Sequence, residues 1–167
     1  MDNSYVASPY QLKIPVGFPQ MAIPPDNPFT VEGVELGRHL FYEKSLSGDN
    51  TISCGSCHKP EFAFADTSQF SKGVGGKLGD RNTPSVMNMA SRGELFWDGR
   101  AKDLVDQVKF PIENPVEMNL KIEEAVKRLN ESELYSLLFK KLYMDEATQE
   151  NLADALAEFQ RTLESDG

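Results

Sequence analysis

Histidine and cysteine are scarce in this chain, with two of each among 167 residues, and tryptophan occurs once. Two cysteines cannot form the disulfide framework that staples small secreted folds, so they read as a local site. No apolar run approaches the roughly 18 residues that a membrane span needs, and no charged-then-apolar leader opens the chain. Basic residues are outnumbered, 17 Lys and Arg against 26 Asp and Glu, for a net charge of −9. That balance argues against a nucleic-acid surface and favours partners with a basic patch. Alternating strand-like runs are nearly absent, as is any internal repeat. The fold class read from these features is all-α with long functional loops, built as one domain large enough to bury its own core.

Residues 1–29 carry Pro9, Pro15, Pro19, Pro24, Pro25 and Pro28 and lack helical periodicity, so an extended arm on the surface is expected. Residues 30–167 form the domain proper. Thr30 is placed to cap a helix through Leu36, Leu40 and Phe41, followed by a loop, "SLSGDNTIS". Short helices are expected over 101–109 and 121–129. An Asn130 to Glu133 capping pattern leads into Leu134, Leu137, Leu138 and Leu142, and Leu152, Ala155, Leu156, Phe159 and Leu163 form a final apolar stripe. Between Asp66 and Arg81 lies an irregular glycine-rich stretch, "SKGVGGKLGD", able to bring backbone close to a flat ligand.

Both cysteines fall within "SCGSCH", Cys54 and Cys57 with His58 directly after. A C-x-x-C pair alone fits a redox dithiol, half a zinc site or a haem attachment. A dithiol enzyme calls for a preceding strand and a parallel sheet, and zinc calls for a fourth ligand, whereas the other histidine, His39, lies upstream in a helix. In C-x-x-C-H the two thiols add to the haem vinyl groups while the adjacent imidazole coordinates the iron. One covalent haem c is therefore expected, held by Cys54, Cys57 and His58. This attachment takes place outside the cytoplasm, so a periplasmic location is expected, with the leader peptide missing from this sequence.

Around that motif stand "LGRHLFYEKSLS", "CHKPEFAFAD", "GDRNTPSVMN", "FWDGRAKDLVDQ" and "PIENPVEMN". In this order and spacing they resemble the N-terminal, peroxidatic haem domain of bacterial di-haem cytochrome c peroxidases and of the related methylamine-utilisation enzymes. The resemblance implies a cytochrome c-like haem domain. In that family a second domain with its own C-x-x-C-H follows, and the sequence is read as an N-terminal fragment lacking it.

The resemblance also assigns roles. Glu117 matches the distal acid–base glutamate and Gln107 the distal glutamine. Trp97 matches a tryptophan between the two haems that is thought to relay electrons. Arg81 is expected against a haem propionate, and Asn82 matches a ligand of an inter-domain calcium. Taken alone, each has a plainer reading: Glu117 as a helix-start carboxylate, Gln107 as a polar helix residue, Trp97 as core packing. Many members carry a distal histidine in the glycine-rich loop, and here that position is Val74, which cannot bind iron. His39, Met87, Met89 and Met118 are the remaining sixth-ligand candidates; otherwise the iron is open at rest. "FAFAD" and Phe96 are read as haem-pocket walls.

The activity so implied is reduction of hydrogen peroxide to water. Electrons would come from a small cytochrome c or copper protein through the second haem domain, with a homodimer compatible. Two rivals stand beside it: a mono-haem electron-transfer cytochrome with a methionine ligand, and a di-haem oxidase acting on a protein or organic substrate.

Overall fold

The computed structural model describes residues 6–14, 16, 17, 20, 21, 23–96 and 98–165. Seven α-helical segments connected by short 3₁₀ turns and long loops make up the described chain, and pairing of β type is confined to isolated bridges.

Helix α1 (Val31–Phe41) begins as expected, with the Thr30 hydroxyl accepting the Gly33 N–H at 3.0 Å. Its buried face, Leu36, Leu40 and Phe41, lies on α7 (Gln149–Arg161), which contributes Leu152, Ala155, Leu156 and Phe159. The helices meet closely because Gly37 has no side chain: a Cβ there would collide with the backbone carbonyl of Ala155. Phe41 and Phe159 fill the crossing edge to face, ring centroids 5.1 Å apart.

The segment expected as a helix over 101–109 is instead α3 (Leu104–Gln107) followed by α4 (Lys109–Glu113). Asp103 sets the start, its carboxylate accepting the Asp106 N–H at 2.8 Å. Pro111 interrupts the ladder because it has no N–H for the carbonyl four residues earlier, that of Gln107. Helix α5 (Ile122–Glu131) runs close to expectation. Helix α6 (Glu133–Tyr143) is capped by Ser132, not Asn130. Asn130 instead grips the loop before α7: its Nδ2 donates to the Ala147 carbonyl at 3.0 Å and its Oδ1 accepts the Ala147 N–H at 2.8 Å.

The leucine stripe of α6 is only partly inward: Leu138 and Leu142 pack against the main core. Tyr135 and Phe139 are buried, while Leu134 and Leu137 are 54% and 67% exposed. Tyr135 faces in because its hydroxyl donates to Glu43 Oε2 at 2.7 Å, which rotates both leucines outward.

The described residues of 6–29 contain no helix and run along α1. Pro9 bridges to Thr30, and Val31 N–H donates to the Ser8 carbonyl at 2.9 Å. Asn27 is buried and donates to the Asp154 carbonyl on α7 at 3.2 Å.

Candidate active site

Helix α2 (Cys54–Cys57) is a single turn, which sets the two cysteines on one face at i and i+3. Ser56 Oγ accepts the Ser53 N–H at 3.0 Å, and the His58 N–H donates to the Cys54 carbonyl at 2.9 Å, closing the turn. Cys54, Cys57 and His58 line one cleft.

His58 Nδ1 lies 3.1 Å from the Phe64 carbonyl. A carbonyl only accepts, so Nδ1 carries the proton and Nε2 keeps its lone pair, the state a metal-ligating imidazole requires. Burial pushes the imidazole pKa down, and the carbonyls of Phe64 and Pro84 pull against it. Burial pushes the Cys54 thiol up to about 12 and raises Cys57 as well, each further raised by neighbouring negative charge. Both are neutral thiols, unlike the thiolates a redox dithiol uses. Among the described residues no three His, Cys, Asp or Glu side chains converge as metal ligands.

Glu117 and Gln107 open on the same cleft. Glu117 sits on a turn folded around Asn114, whose carbonyl accepts the N–H groups of both Glu117 and Asn119 at 3.0 Å. The Asn114 amide donates to Glu117 Oε1 at 2.8 Å, and its Oδ1 accepts the Val116 N–H at 3.1 Å. Two distant loops hold this turn. Gly48 N–H donates to the Met118 carbonyl at 2.7 Å, and Val74 N–H donates to the Glu117 carbonyl at 2.8 Å. At Gly73 a Cβ would strike the Val116 carbonyl, so only glycine admits the contact. Desolvation raises the Glu117 pKa; the Asn114 hydrogen bond and Arg100 oppose the shift, while Asp80 adds to it. Gln107 closes α3, and its carboxamide has no hydrogen-bond partner among the described residues.

Val74 is buried against the Glu117 turn and does not itself line the cleft; Gly73 does. His39 is exposed on the outer face of α1, and Met87 and Met89 lie off the cleft wall. Met118 reaches the wall, but its side chain is buried in the main core. Phe96, expected as a pocket wall, instead stacks under Arg100 and against Phe110 in a separate small cluster with Leu95 and Leu104. Within "FAFAD", Phe62 is exposed and Phe64 packs edge-on against Phe41. Arg81 and Asn82 are exposed and share a shallow groove with Asp80 and Asp98, apart from the cleft. Trp97 lies outside the described residues.

Several lining residues carry no expectation from sequence, Lys72 and Gln160 among them. Lys72 is the cation at the cleft wall; nothing in its local pattern marks it. Gln160 had a signal: Leu152, Leu156 and Gln160 fall at i, i+4 and i+8, so a polar side chain interrupts an apolar stripe.

The family model for di-haem cytochrome c peroxidase matches residues 31–167. The chain is 39% identical to cytochrome c peroxidase Ccp of Escherichia coli over 146 residues, covering 87% of this chain and 31% of the relative. It is 37% identical to methylamine utilization protein MauG of Methylophilus methylotrophus over 143 residues, covering 85% of this chain and 43% of that one. Among solved structures, a MauG-like protein associated with microbial copper homeostasis superposes with a TM-score of 0.84 at 32% identity, over 93% of this chain and 47% of the other. The chain thus spans less than half the length of these relatives.

Proposed function

This chain belongs to the di-haem cytochrome c peroxidase family, and from that premise we propose that residues 30–167 form its peroxidatic domain, reducing hydrogen peroxide to water at a covalent haem c. The observation that carries the reading is the position of Glu117, a half-buried carboxyl with a raised pKa on the same cleft as Cys54, Cys57 and His58.

The residues fit the cofactor. Two neutral thiols on one helical face suit thioether formation, and a neutral imidazole with Nδ1 engaged suits iron ligation through Nε2. Bound there, the haem supplies an iron at which the peroxide O–O bond breaks and two electrons are delivered. His58, basic through its Phe64 contact, would hold the iron through Nε2. Glu117 takes the proton from one peroxide oxygen and returns it to the other, which leaves as water. Gln107 steadies the peroxide with its free carboxamide. Two further protons complete two waters per peroxide.

The electrons are proposed to come from a small cytochrome c or copper protein through a second haem domain of the full-length protein, in the periplasm. Trp97 is proposed to relay them, Arg81 to meet a propionate, and Asn82 to contribute to a calcium site between domains. With the histidine position taken by Val74 and with Met87, Met89 and His39 off the cleft wall, the iron is proposed to be open at rest.

Mixing ferric holoprotein with hydrogen peroxide in a stopped-flow spectrometer tests this. Glu117→Gln is expected to slow the reaction by roughly 10²- to 10⁴-fold, and an unchanged rate would remove Glu117 from the chemistry. A methionine-to-iron charge-transfer band in the near infrared would instead identify an electron-transfer cytochrome ligated by Met118.

A further inference from the structure

Gln160 is 7% exposed, sits one turn beyond Leu156 on α7, and lines the cleft that holds Cys54, His58, Gln107 and Glu117. Its carboxamide makes no hydrogen bond among the described residues. Several other buried amides and hydroxyls are paired within the fold, Asn27 to Asp154, Thr30 to Glu158, Ser47 to Lys44 and Asn151 to Glu146, whereas the Tyr143 hydroxyl is buried without a partner among the described residues. Gln160 thus places an amide where leucine would continue the α7 stripe. The carboxamide is therefore available to a polar occupant of the cleft.

The cleft's expected contents present oxygen acceptors, the haem propionates and the two oxygens of peroxide, and a carboxamide can satisfy either through its N–H. We infer that Gln160 is a binding residue of the cleft, donating a hydrogen bond to an acceptor oxygen brought in by the cofactor or by the substrate. The inference rests on haem c occupying the cleft. It does not depend on Glu117 moving a proton.

The test uses the ferric holoprotein with fluoride, a small anionic acceptor that binds haem iron, and compares wild type with Gln160→Leu and the similarly sized Gln160→Met. If the amide faces the substrate position, both substitutions weaken fluoride binding by about tenfold or more, the loss of one hydrogen bond to an anion. If it faces the cofactor edge, fluoride affinity holds while the propionate bending band in the resonance Raman spectrum shifts. Unchanged fluoride affinity and an unchanged propionate band, in variants whose haem is attached and whose ferric spectrum is intact, would overturn the assignment. Failure of the peroxidase reading would appear elsewhere, as equal peroxide rates for wild type and Glu117→Gln.

Discussion

Asn114 commits both ends of its carboxamide and its own carbonyl to the turn that carries Glu117. Its N–H favours the ionised carboxylate, against the burial that disfavours it. In the proposed mechanism Glu117 is ionised when it accepts a proton from peroxide, so the rate is expected to fall as pH drops below its raised pKa. Removing the amide in Asn114→Ala raises that pKa further. The acid limb of the rate profile is expected to move to higher pH, with a loss of about tenfold on that limb and recovery at alkaline pH. A profile that is scaled down but not displaced would make Asn114 merely structural. At this scale Cys54, Cys57 and His58 were legible from sequence, because covalent spacing along the chain defines the motif. Glu117 came only through a resemblance, since its burial depends on Gly48 and Gly73, 69 and 44 positions away in sequence. Phe96 shows the converse: residue type suggested the cleft, and the fold carried it to a separate cluster.

Among the helices, caps and stripes were partly legible. Thr30 caps α1 as its pattern indicates, because that signal lies within four residues. Around α6 two polar residues competed for the cap, and Ser132 took it because Asn130 is drawn off by Ala147. Of the α6 leucines, Leu138 and Leu142 pack on the core while Leu134 and Leu137 do not, because a periodic pattern gives a stripe without saying where the core ends. Leu137→Glu should accordingly change stability by no more than about 0.5 kcal/mol, whereas Phe139→Ala, from a fully buried site, should cost about 3–5 kcal/mol. Gly37→Ala inserts a methyl into the α1 and α7 crossing and should cost about 1–3 kcal/mol. Denaturant titration of the holoprotein checks all three, and equal midpoints for Gly37→Ala and wild type would refute the close crossing.

Across the whole molecule, the arm, α1 and α7 meet at Glu158, 2% exposed, whose Oε2 accepts the Thr30 N–H and hydroxyl at 2.9 and 3.2 Å. Burial pushes its carboxyl up to about 7, with Thr30 and Arg161 opposing and Asp154 adding. A carboxyl whose folded pKa exceeds its unfolded value stabilises the fold below the unfolded pKa and loses that contribution as pH rises through the folded one. Wild type is therefore expected to lose stability relative to Glu158→Gln between pH of about 4.3, the unfolded value, and the folded value near 7. A difference in unfolding midpoint that stays constant over this interval would show that Glu158 is already ionised.

The helical class and the C-x-x-C-H motif were readable from the chain alone, because both are written at short range: three residues at fixed spacing and apolar positions repeating along single helices. Only the tertiary structure decided which polar groups share the cleft. Glu117, Gln107, Lys72 and Gln160 come from a turn, two helices and a loop, and what brings them together is the close approach permitted by Gly37, Gly48 and Gly73. Those contacts are steric and long-range, so no local pattern records them.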